Sequence, residues 1–101
     1  MIVRFWQTRF DASQLEALKT YANEVSLPVL ATRPGNAGVF FFSQDDRWTT
    51  MTFWDSQASI DGLANDDDYA RIVAGIMELG VLGDEQQTTT HVVHGFTMAG
   101  Q

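Results

Sequence analysis

The sequence predicts a single α+β domain over residues 1–101, with its elements in the order β-α-β-β-α-β. Three observations predict it. Two segments, starting near Leu15 and near Tyr69, carry apolar residues at helical spacing. Four other segments, at both ends and in the middle, read as strands by alternation or by β-branched and aromatic content. The two middle strands are separated only by the turn residues Asp45-Asp46, which makes them a hairpin.

The first strand runs from Ile2 to Phe10, with Val3, Phe5, Gln7 and Arg9 on one face and Ile2, Arg4, Trp6, Thr8 and Phe10 on the other. Ser13 and Glu16 have the spacing of a capping box. Leu15, Leu18, Ala22, Val25 and Val29 then form an apolar stripe. Pro28 has no N–H, so it kinks this helix or restarts it as a short second segment with Pro28 in the first turn. Pro34-Gly35-Asn36 closes the unit as a turn.

Val39–Phe42 is the second strand and Arg47–Trp54 the third. Asp55-Ser56 caps a short helix, 57–64, and Asp66-Asp67-Asp68 caps a longer one carrying Tyr69, Ile72, Val73, Ile76 and Leu79 on one stripe. Gly80 and Gly83 end it. The last strand is expected over about 88–97. This order is the ferredoxin-like split βαβ arrangement, with a four-stranded antiparallel sheet. Two helices cover one face of such a sheet and leave the other bare. Because strands such as Val39–Phe42 carry bulky apolar groups on both faces, the bare face is expected to dock on a second copy, making a homodimer.

Composition narrows function further. Of 101 residues, 45% are hydrophobic and none is cysteine, so the chain has ample core and no thiolate chemistry. Six basic residues against thirteen acidic ones give a formal net charge of −7, which opposes nucleic acid and anionic membranes as partners. The N-terminus has no basic start and no long apolar run, so a signal peptide is not expected and the default compartment is cytoplasmic. The Asp66-Asp67-Asp68 run lacks the spacing of a calcium loop, so it reads as a helix cap.

Thr52-Phe53-Trp54-Asp55-Ser56, followed by Ile60 and by 66–69, resembles the antibiotic biosynthesis monooxygenase-like family of dimeric α+β barrels, and the Pro34-Gly35 turn fits the same pattern. The resemblance runs from Ile2 to Phe96 through element order. It implies a homodimeric barrel with a small pocket in each subunit between helices and sheet. It also implies either cofactor-independent oxygenation of a small aromatic or quinol-like metabolite, or a non-catalytic small-molecule-binding or stress-related dimer. The haem-degrading branch of the family has an Asn on the first strand and an iron-ligating His about where Val73 stands. This sequence offers Phe5, Trp6 and Gln7 on that strand and no His before His91, so no haem and no other cofactor or metal is expected.

Cofactor-free oxygenation needs a base, donors for an oxyanion and an apolar pocket that admits O₂. His91, His94 and Tyr69 are the candidate catalytic groups, the two histidines being weighed against surface or interface roles on the final strand. On a strand, positions 91 and 94 face opposite ways, so at most one of the two reaches a given pocket. Trp48 and Trp54 are candidate ring platforms, and Asn65, Gln7 and Arg71 candidate donors. Trp54 also reads as core.

Overall fold

A computed structural model describes residues 1–98 and Gly100. Its elements are β1 (Ile2–Arg9), α1 (Leu15–Tyr21), α2 (Leu27–Ala31), β2 (Asn36–Gln44), β3 (Arg47–Trp54), α3 (Gln57–Asp61), α4 (Asp67–Glu78) and β4 (Gln87–Val92). The sheet order is β2-β3-β1-β4 and every pair is antiparallel. The chain therefore has the ferredoxin-like order expected from its sequence.

Register assigns the faces. Ile2, Arg4, Trp6 and Thr8 stand opposite Trp54, Thr52, Thr50 and Trp48, and β4 continues this face with Thr88 opposite Trp6. On the far side of β3, Val39, Phe41 and Ser43 pair with Thr52, Thr50 and Trp48. This is the face the helices cover. At one end of it Phe10, Leu18, Ala22, Trp48, Ile76 and Val81 form the main apolar cluster. The other face carries Val3, Phe5, Phe40, Phe42, Met51, Phe53 and His91. No helix lies on it. Phe96, in the segment after β4, packs its ring 5.3 Å from that of Phe53 and covers one end.

Several local outcomes differ from the sequence reading. The first helical segment is capped by Asp11 instead of by Ser13 and Glu16. The Asp11 carboxylate accepts both the Ser13 N–H (3.0 Å) and the Ser13 hydroxyl (2.6 Å), and those bonds hold its carboxyl below the usual carboxylate range. Helical structure begins in a tight turn at Ala12, so the cap falls two residues earlier, and Glu16 meets Lys19 instead. Pro28 neither ends nor restarts the helix: the backbone stays right-handed helical from Leu15 to Ala31, with Pro28 in the first turn of α2. Between α1 and α2 the backbone widens into a π-helical stretch, Ala22–Ser26. A proline ring displaces the carbonyl four residues earlier, and a wider turn upstream accommodates it.

β2 is longer than the aromatic run, because it begins at Asn36 with a bulge before Gly38. The short helix α3 tightens into a 3₁₀ turn over Gly62–Asn65. β4 is shorter than expected and stops at Val92. Val92 pairs with Ile2, and the Val93 N–H makes one more bond to the Met1 carbonyl. On α4, Ile72 and Ile76 are buried while Val73 and Leu79 of the same predicted stripe are exposed.

Two polar devices hold this frame. Asp66 caps α4 by accepting the Tyr69 N–H at 3.0 Å, and it receives the Arg33 guanidinium at 3.0 Å; these two bonds, in that order, hold its carboxyl below the ordinary value. It thereby ties the end of α2 to the start of α4. On β3, the Trp54 indole N–H donates to the Thr52 hydroxyl at 2.7 Å, and the Trp48 indole does the same to Thr50 at 3.2 Å. Trp54 has no exposed surface and Thr52 is 1% exposed. A Thr52→Val substitution keeps the shape and strands a buried donor, so it is expected to cost about 1–3 kcal/mol. In urea denaturation, Trp54→Phe should cost less in the Thr52→Val background than in the wild type, whereas strict additivity of the two changes would remove the hydrogen bond from the account.

Candidate functional site

A cavity of about 160 Å³ lies between the covered face of the sheet and the helices. Its floor is Arg4 and Trp6 of β1, Phe41 of β2, Trp48, Thr50 and Thr52 of β3, and Thr88 of β4. Ala22 and Ser26 of the π-helical stretch and Leu30 of α2 close one side. Tyr69, Ile72, Val73, Ile76 and Met77 of α4 close the other, and Gln86 stands at the edge. The widened turn thus supplies two of the residues facing the cavity.

The walls are apolar and aromatic, with a few polar groups. Phe41 and Trp48 stack on each other with centroids 5.7 Å apart and planes 29° apart, and Trp48, 2% exposed, borders the cavity from within the core. Thr50 already accepts the Trp48 indole N–H, which leaves its own hydroxyl hydrogen free to donate. Arg4 is half-buried, and among the described residues its guanidinium has no ion pair and no side-chain hydrogen bond. It carries the single formal charge among the sixteen lining residues, none of which is Asp, Glu, His or Cys. The position at which the haem-degrading pattern places its iron ligand is Val73, on the cavity wall, and the lining offers no set of groups that holds a metal. Elsewhere, no group of three or more potential metal ligands occurs among the described residues.

Of the residues singled out in the sequence, Tyr69 and Trp48 line this cavity. The others do not. His91 pairs with Val3 and lies on the open face of the sheet, edge-on to Phe5 at 5.7 Å. His94 is exposed in the segment beyond β4, so it is not on a strand. Gln7 sits on the open face, donating to Thr49 at 3.3 Å. Trp54 is core. Asn65 ends the 3₁₀ turn and is exposed, and Arg71 is exposed and paired with Asp68 at 2.8 Å.

Sequence reasoning missed Arg4, Trp6, Thr50, Thr52 and Thr88. The signal was present in part. Alternation already groups Arg4 with Trp6, and Thr50 with Thr52 and the two tryptophans; only the strand register says that these groups share a face.

No protein-family model and no curated protein matches the sequence. Solved structures do match. One, a candidate antibiotic biosynthesis monooxygenase from Bordetella bronchiseptica, superposes with a TM-score of 0.79 at 11% identity, over 91% of this chain and 95% of that one. Another so described, from Nitrosomonas europaea, gives 0.77 at 10% identity, over 94% and 100%. The chain has the antibiotic biosynthesis monooxygenase fold. An uncharacterised NIPSNAP domain protein from Burkholderia xenovorans also superposes, at 0.67 and 15% identity over 97% and 99%, so the antibiotic biosynthesis monooxygenase fold is shared with proteins of other names. At such identities the likeness is one of backbone, and the chemistry rests on the cavity. No helix among the described residues is long and apolar enough to cross a membrane.

Proposed function

We propose that the chain is a cofactor-independent monooxygenase of a small quinol-like metabolite, bound in the cavity between sheet and helices. The observation that carries this is the size and lining of that cavity. About 160 Å³, walled by Trp6, Phe41, Trp48 and Tyr69, matches the roughly 150 Å³ that a benzene-sized occupant fills.

The reaction balances without an outside reductant. A quinol ring and O₂ give a hydroxyquinone and water: one oxygen atom enters a ring C–H position, the other leaves as water, and the ring supplies all the electrons. The residues bind and polarise. A phenolic hydroxyl placed near Arg4 is easier to ionise, because a nearby cation favours the phenolate, and the Thr50 hydroxyl is free to donate to it. The proton leaves to solvent, since neither His91 nor His94 borders the cavity.

That missing imidazole also favours a second reading, a dimer that binds such molecules without turning them over. Oxygen-electrode traces with hydroquinone separate the two. Protein-dependent uptake of one O₂ per ring, with hydroxyquinone appearing, is expected. Thermal stabilisation by hydroquinone with no uptake would leave the binding reading alone.

A homodimer belongs to the same proposal. The open face of the sheet carries no Asp or Glu, although the chain has thirteen acidic residues. For two chains of net charge −7, a face without carboxylates avoids the repulsion that the acidic remainder of the surface would impose.

A further inference from the structure

Arg4 and Arg47 are the two basic residues that meet no carboxylate among the described residues. Of the two, Arg47 is exposed, whereas Arg4 is half-buried on a cavity floor. Arg9 meets Asp46 and Glu85, Arg33 meets Asp66 and Asp68, and Arg71 meets Asp68. Arg4 meets no carboxylate among the described residues, and it is half-buried on the floor of an aromatic cavity. Its strand neighbours across the sheet, Thr52 and Thr90, have uncharged side chains. A guanidinium taken partly out of water keeps five donors in a planar fork that fits a carboxylate with two parallel hydrogen bonds. A cation in such a place, without an acid of its own, is free to receive one from a ligand.

We infer that the ligand of this cavity is a one-ring aromatic carboxylate, its acid group on the Arg4 fork and its ring against Trp48 and Phe41. The inference rests on the aromatic-cavity reading above and adds the charge of the occupant. The cavity's volume suits a single ring. The Thr50 hydroxyl then faces a ring substituent, so a hydroxylated benzoate joins the quinol chemistry to the acid anchor. The overall negative charge of the protein does not forbid this. Exposed charges beyond about 8 Å are largely screened at physiological salt, whereas the guanidinium acts in contact.

The experiment is calorimetric titration of the full chain with benzoate, benzamide, 2,5-dihydroxybenzoate and hydroquinone, repeated on Arg4→Gln and Arg4→Lys. In the wild type, each acid is expected to bind at least ~10-fold tighter than its neutral counterpart. Arg4→Gln should abolish that preference and leave benzamide within about two-fold of wild type, a pattern that a misfolded variant would not give. Arg4→Lys, which keeps the charge and loses the fork, should retain part of the preference. Neutral and acidic rings binding equally to the wild type would overturn acid recognition and leave the aromatic cavity standing. Binding by none of the four would overturn both.

Discussion

Gly35→Ala is expected to lower stability by about 3 kcal/mol or more, combining roughly 1 kcal/mol for a left-handed backbone with roughly 2 for steric overlap. Gly35 has φ +82°, and its carbonyl accepts the Asp55 N–H at 2.9 Å. A Cβ placed there runs into the Ser59 hydroxyl and the Asp55 carboxylate. Those two groups cannot easily yield. Ser59 donates to Asp55 at 2.6 Å, and Ser56 donates to it at 3.1 Å, which holds the Asp55 carboxyl below its ordinary value.

Two other glycines separate the contributions. Gly80 has φ +69° with open space around it, so Gly80→Ala carries the backbone cost alone, about 1 kcal/mol. Gly62 has right-handed φ and nothing near its missing Cβ, so Gly62→Ala should be neutral or stabilise by up to about 1 kcal/mol. In thermal unfolding the three variants should rank Gly62, wild type, Gly80, Gly35, the last falling by more than about 12 °C. A Gly35→Ala protein melting with the wild type would contradict both the turn geometry and the packing beside it.

That turn was legible in the sequence because Pro34-Gly35-Asn36 admits few other conformations. The hairpin at Asp45-Asp46 was legible for a similar reason: Asp45 takes φ 54°, which aspartate tolerates better than most residues. Element order followed from these punctuation marks and from periodicity. The covered face did not. Alternation divides β1 into an Arg4–Trp6 set and a Val3–Phe5 set, and both are mixed in polarity, so nothing local says which set meets the helices. The pairing of Ile2 with Trp54 decides it. The same missing register hid the site: once Trp48 and Thr50 face the helices, Arg4 and Trp6 come with them, and His91 goes to the other side. The histidines stand out by residue type alone, which carries no positional information. The end of β4 was likewise invisible locally, because Val, Thr and Phe residues continue after Val92 with no turn signal at that point.

The open face gives the second large effect. Met51 lies near its middle, paired across β1 with Phe5 and across β2 with Phe40. Phe42, also on this face, is 46% exposed, with Phe5, Phe40 and Met51 half-buried beside it, and contiguous apolar groups of this kind mark interaction sites. If a second copy packs there, Met51→Glu introduces two carboxylates near the dimer axis, each buried without a partner. Breaking or orphaning a buried charge costs about 3–5 kcal/mol, so the dimer dissociation constant should rise by at least about 10³-fold. In the isolated subunit the same side chain points to solvent, and the fold should survive. Sedimentation of the wild type is therefore expected at twice the chain mass with a melting temperature that rises with concentration. The Met51→Glu protein should sediment at one chain mass with an unchanged far-ultraviolet circular dichroism spectrum. A wild type that stays monomeric at high micromolar concentration would show that the Phe96 segment and water suffice to cover this face, and the barrel would have to be abandoned. The cavity, which lies on the opposite side of the sheet, would be untouched by that result.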